Sequence, residues 1–154
     1  MQLIRKRSQL CASRAAEVLG LLGKRAERAP IPVDNLAFTL GYQVVMLQSV
    51  DDACSAIVST REKLIGINAK HHRHRQRFSL GHEIAHILLK HPPESRCTIK
   101  EIALYNAEAD ECAAEILMPA PLVRQWLTRT RDTAALARIF NVSVEAMRVR
   151  VERL

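Results

Sequence analysis

The chain has 154 residues, of which 48% are hydrophobic and 25% charged, with no low-complexity run; this is enough apolar material for one buried core and excludes disorder over most of the length. No apolar stretch approaches a bilayer span, so no membrane role is expected. The formal net charge of +7 suits nucleic acid or an acidic protein, but an aromatic content of 4% excludes a platform that stacks single-stranded bases.

The first helical pattern falls within residues 1–29 and places Cys11, Ala15, Val18 and Leu22 on one side. Arg5, Lys6 and Arg7 make its start basic, yet Arg14 and Glu17 interrupt what would be the apolar centre of an export signal, so a docked helix is expected. Cys11, Cys54, Cys97 and Cys112 form no CxxC pair, which removes a zinc ribbon or redox dithiol and leaves free thiols in a reducing cytoplasm as the expectation. Gly20-Leu21-Leu22-Gly23-Lys24 is too short for a phosphate loop and lacks its Ser or Thr.

Ala29-Pro30-Ile31-Pro32 is a stiff joint. Beyond it Val33, Leu36, Ala37 and Leu40 recur at i, i+3, i+4 and i+7, with Asp34 in the opening turn and Gly41 as the stop, which predicts a short amphipathic helix. The β-prone runs 42–47, 56–60 and 63–68, the last two joined by a tight turn at Arg61-Glu62, predict a small, mostly antiparallel sheet.

His82-Glu83-Ile84-Ala85-His86 follows. On an α-helix this spacing turns the two imidazoles about 40° apart on one face, where both can reach one metal ion, with a carboxylate beside them. Zinc favours nitrogen ligands, and a catalytic site keeps a position open for water. Ser79 is the expected N-cap of a helix over 79–90, with Ile84, Leu88 and Leu89 as its apolar stripe and Pro92-Pro93 beyond its end. The pattern predicts metal-assisted hydrolysis in which Glu83 is the general base and His82 and His86 are ligands.

A zinc site of this type needs a further protein ligand. His91 stands five residues after His86, without the glycine and six-residue spacing of the three-histidine class, and reads better as a cation at the helix C-terminus. Glu108, Glu111 and Glu115 lie on one side of a helical pattern over 107–117, ahead of Pro119 and Pro121. Of these, Glu108 is the preferred ligand.

Taken together, Arg77-Phe78-Ser79-Leu80-Gly81-His82-Glu83-Ile84-Ala85-His86 and Glu108-Ala109-Asp110-Glu111-Cys112-Ala113-Ala114-Glu115-Ile116-Leu117-Met118-Pro119 give the chain a marked resemblance to the ImmA/IrrE family of zinc metallopeptidases, over about residues 30–154. The resemblance implies one Zn2+ per chain, a third ligand on the glutamate of Glu108-Ala109-Asp110, and a helix-turn-helix repressor as protein substrate in stress or mobile-element responses. Cys112 stands where the family usually has Phe, a departure that bears on packing. A second oxyanion donor is sought among Tyr105, His71, His72, His74 and Arg75, none of which the sequence singles out.

The tail holds residues 121–127 and then 133–140 and 144–154, which predict two short helices joined by Asn141-Val142-Ser143 in the cadence of a helix-turn-helix, with Arg148, Arg150 and Arg153 on the final one. Packing of Leu136, Phe140, Val142, Met147, Val151 and Leu154 onto the body is preferred to DNA reading. The expected architecture is an α+β zincin-like domain over 1–154: an N-terminal helix in 1–29, a catalytic core in 30–128 whose sheet packs on the two ligand-bearing helices, and a helical hairpin in 129–154. The rival reading is a non-catalytic, zinc-containing regulator that binds DNA or a protein partner.

Overall fold

The computed structural model describes residues 2–154, with side chains from Arg7 onward; Met1 and the side chains of residues 2–6, including the basic Arg5 and Lys6, lie outside the described residues. Among the described residues there are seven α-helices and one three-stranded sheet. Helix α1 (Gln2–Gly20) leads through a 3-10 turn (Gly23–Glu27) to α2 (Val33–Thr39). The strands are β1 (Gln43–Leu47), β2 (Ala56–Ser59) and β3 (Leu64–Asn68). Then come α3 (Arg73–Leu89), a 3-10 turn (Glu94–Arg96), α4 (Ile99–Leu117), α5 (Ala120–Leu127), α6 (Thr133–Phe140) and α7 (Val144–Glu152).

The sheet is mixed, with order β1-β3-β2, and this corrects the mostly antiparallel expectation. β3 pairs in parallel with β1 and antiparallel with β2. The reason is burial: Ile65, Gly66, Ile67 and Asn68 are buried, so β3 takes the middle, while β1 and β2 carry exposed residues such as Met46 and Ile57 and take the edges. Asn68 then fixes the approach to β2, because its side-chain amide donates to the carbonyls of Asp51 (3.2 Å) and Cys54 (2.8 Å) and its Oδ1 accepts from the Lys70 N–H (2.9 Å). Gly41 stops α2 as expected, at a φ of +83° that costs a glycine little.

Both long central helices begin earlier than their sequence patterns suggest. His72, not Ser79, caps α3 by accepting from the His74 N–H, and Ser79 lies inside the helix with its hydroxyl turned back to the Arg75 carbonyl. Helix α4 starts at Ile99 rather than near residue 107, because Thr98 and Glu101 close a reciprocal capping box. Helices α3 and α4 pack face to face. Gly81 helps to set their separation: a Cβ there would meet the Ala113 Cβ at 3.4 Å and Leu117 at 3.6 Å, leaving room for a methyl group and little more.

One apolar cluster runs from Cys11, Ala15 and Val18 of α1 through Ile84, Cys112 and Ile116 to Leu136, Phe140 and Met147 of the closing helices. All four cysteines are free. Among the described residues, no helix is long and apolar enough to cross a membrane.

The closing helices are fastened by buried guanidinium groups. Arg77 of α3 donates to the carbonyls of Asn141 (3.1 Å) and Ile31 (2.9 Å). Arg150 of α7 makes a two-point pair with Glu115 of α4 (2.7 and 2.5 Å) and donates to the Met118 carbonyl (2.9 Å), with 8% of its side chain exposed. Arg148 instead lies on the solvent side, between Glu145 and Glu152.

The two arginines therefore differ in what they hold. Removing Arg150 strands a carboxylate in a nearly dry interface, so Arg150→Ala is expected to destabilise the protein by about 3–5 kcal/mol. Arg148→Ala, at a solvated pair, leaves the urea midpoint close to that of the parent. Equal shifts for the two variants in urea denaturation would contradict the docking of α7 through Arg150.

Candidate metal centre

His82 and His86 lie one turn apart on α3 and face α4, and their Nε2 atoms approach to 2.9 Å. From α4, Asp110 accepts from His82 Nδ1 at 2.7 Å, and Asn106, one turn earlier, brings Oδ1 to 3.2 Å from His86 Nε2. The i, i+4 pair on one helix thus meets an i, i+4 pair on the other.

The far side of His86 is held as well. His91, in the left-handed turn where α3 ends, sets its Nδ1 at 2.9 Å from His86 Nδ1 and its Nε2 at 3.1 Å from a Glu108 oxygen. The other Glu108 oxygen lies 3.0 Å from Nε of Arg7 on α1. A carboxylate can only accept, so Glu108 takes the Nε2 hydrogen of His91; neutral His91 then accepts at Nδ1 from His86 Nδ1–H. Asp110 likewise takes the Nδ1 hydrogen of His82. Both motif imidazoles are left with their Nε2 lone pairs directed at one place, beside the amide oxygen of Asn106.

Three electron-rich atoms with no hydrogen among them repel one another unless a cation or a proton lies between them. This is the arrangement in which metal-binding histidines are oriented by acceptors on their other nitrogens. The residues fit a divalent cation held by two imidazoles, with a neutral amide as the third side chain. Among the described residues, no group of three or more His, Cys, Asp or Glu side chains is placed to hold one.

Glu108, the expected third ligand, places its carboxylate away from the two Nε2 atoms. Residues two apart on a helix point to opposite sides, so Glu108 cannot share the face on which Asn106 and Asp110 meet the histidines. Its carboxylate serves Arg7 and His91 instead. Glu115 is committed to Arg150, and Glu111 lines a separate groove along α4 and α7. His91, expected as a cation at the helix end, instead has a buried ring between His86 and Glu108, where burial lowers its pKa and so disfavours the charged form.

Electrostatics divide the two motif histidines. Burial works against charge on His82, but the Asp110 carboxylate and then Glu83 outweigh it, and its pKa is raised. Burial and the neighbouring His82 and His91 push His86 down to about 4. Glu83 is also lifted above the ordinary carboxylate range, first by burial, with His82 opposing and Glu94 adding to the rise.

These groups line a cleft of about 690 Å³ whose other wall is Ala56, Ile57, Val58 and Thr60, in and just after the edge strand β2. Tyr105, stacked on His91 at 4.5 Å between ring centroids, also lines it. Of the five oxyanion donors considered from sequence, it alone does so. His71 bonds the Asp52 carbonyl, and His72, His74 and Arg75 line the groove along α7.

The family model described as the IrrE N-terminal-like domain (Peptidase_M78) matches residues 40–152, and the chain belongs to that family. No curated protein sequence matches the chain. Among solved structures it is similar to a Mycobacterium tuberculosis transcriptional regulator, with a TM-score of 0.65 and 14% identity over 93% of this chain and 45% of that one. At that identity the likeness shows the fold alone, and the chain spans less than half the length of the regulator.

The charge of Asp110 is what lifts His82. In metal-free Asp110→Asn protein, NMR titration of the imidazoles is expected to show His82 gaining its proton at lower pH than in the parent, with His86 still unprotonated near neutrality. An unchanged His82 titration would mean that Asp110 does not hold this ring.

Proposed function

We propose that the chain is a metal-dependent peptidase with a zincin-like arrangement, acting on an extended polypeptide laid beside β2. The observation that supports this best is the meeting of His82, Glu83 and His86 with a sheet edge across one cleft. An exposed edge offers unpaired backbone groups to an added strand, which recognises main chain more than sequence. His82 and His86 would hold Zn2+, with Asn106 facing the same place and Asp110, His91 and Glu108 orienting the two rings.

A divalent cation bound there supplies Lewis-acid polarisation of a carbonyl and makes water a stronger acid. Glu83 does the proton work. Its raised pKa lets it accept the proton of attacking water and return it to the departing amine, a task that favours a group titrating nearer to neutrality than an ordinary carboxylate. The phenol of Tyr105 stands on the same cleft as a donor for the oxygen that gains charge. By family resemblance the protein substrate is a helix-turn-helix repressor, and the setting is regulated proteolysis in the cytoplasm. The chain acts as one unit, with the helices at both ends supporting the core.

A second reading, a zinc-containing regulator without turnover, draws on the neutral amide of Asn106 and on the name of the structural neighbour. DNA contact through α7 gains nothing from Arg150, which is spent on Glu115, or from Arg148, which lies between two glutamates.

Glu83→Gln removes the proton acceptor and none of the ring nitrogens. Cleavage of a labelled repressor or of unfolded casein should fall about 10²- to 10⁴-fold while zinc content is unchanged. Turnover at the parental rate in this variant would remove the peptidase mechanism. A parent that cleaves neither substrate when zinc-loaded, yet binds duplex DNA with steep salt dependence, would support the regulator.

A further inference from the structure

We propose that the cation site of this chain is closed by the amide of Asn106 in place of a carboxylate, and that this one side chain holds zinc affinity well below what the same scaffold can reach. The inference rests on the metal-centre reading above. Asn106 is the side chain of α4 that points where the two Nε2 atoms converge, and Asp110, one turn on, is already bound to His82 Nδ1 at 2.7 Å. Glu108 is on the far side of the helix, 3.0 Å from Arg7 and 3.1 Å from His91.

Zinc sites in proteins draw on thiolate, imidazole and carboxylate. An amide oxygen carries only a dipole, so the ion here faces two neutral rings and one neutral oxygen. Its charge is met only at longer range, by Asp110 and Glu83. Weak holding follows from the missing unit of negative charge, since attraction between unit charges at contact distance exceeds a charge–dipole term several-fold in a half-buried site.

Position 106 is also open to exchange. It is half-buried on the cleft wall, and its backbone lies in the middle of α4, where glutamate is a good helix former. Asn106→Glu therefore adds the missing charge without disturbing the core, and the fold of the variant can be verified by circular dichroism. Loading that depends on how much free zinc the surroundings hold is the functional consequence for the parent.

The test is a zinc titration of metal-free full-length protein against a chromophoric chelator, comparing the parent with Asn106→Glu and Glu108→Gln. Asn106→Glu should bind zinc at least about tenfold more tightly than the parent. Glu108→Gln removes a charge that orients the rings but no ligand and can still accept from His91, so it should weaken binding by no more than about tenfold and not abolish it. The cobalt-loaded forms should differ in visible absorption between the parent and Asn106→Glu, and agree between the parent and Glu108→Gln.

A parent that already binds as tightly as Asn106→Glu overturns the inference and leaves the metal centre standing. So does loss of binding in Glu108→Gln with no effect at position 106. Failure of both the parent and Asn106→Glu to bind zinc or cobalt overturns the inference and the metal centre together.

Discussion

The face-to-face packing of α3 and α4 is the constraint on which the rest depends. Each helix repeats every 3.6 residues, so side chains four apart form a short row, and the His82–His86 row is laid against the Asn106–Asp110 row. Leu80, Ile84 and Ala85 on one helix, and Ala109, Cys112 and Ile116 on the other, are buried in the shared core, which fixes the rotation of both. A helix cannot turn its functional row elsewhere without pulling its apolar row out of that core. The small residues at the contact, Gly81 and Ala113, let the backbones come close enough for ring nitrogens of one to meet side-chain oxygens of the other.

What lies around this pair carries the site's chemistry outward. From His86 the contacts run through His91 and Glu108 to Arg7 on α1, and from His82 they end on the half-exposed Asp110. Helix α1 therefore does more than cover the core beside α4; it supplies the charge that partners Glu108. At the other end Arg150 ties the last helix to Glu115, so a segment with the cadence of a DNA reader acts as a brace on the helix that bears Asn106. The Asn106–Asp110 row sits between these two attachments.

Much of this was legible in the sequence, and the failures share a cause. The three strands, the closing helices and the placing of the two motif histidines on a helix follow from local periodicity, turn residues and caps such as Ser143, whose hydroxyl accepts from the Ala146 N–H. The parallel pairing of β1 with β3 did not follow, because which strand takes the middle depends on burial on both faces. Asn106 was not considered as a site residue, because the helix was read as starting near residue 107 and only its glutamates were weighed as ligands. Thr98 and Glu101 form a readable capping signature, and a helix from there sets Asn106 with Asp110 at the same four-residue spacing as His82 with His86. His91 was hidden for another reason: only the left-handed turn at Lys90, which brings the chain back on itself, puts its ring against His86.

The most direct measurement of this account is a crystal structure of the zinc-loaded protein with anomalous data collected at the zinc edge. The account predicts one strong peak about 2.0–2.1 Å from Nε2 of both His82 and His86, on the side of Asn106, with Asp110 still bound to His82 Nδ1 and Glu108 to His91. A peak coordinated by Glu108, or one away from the two motif histidines, would contradict it.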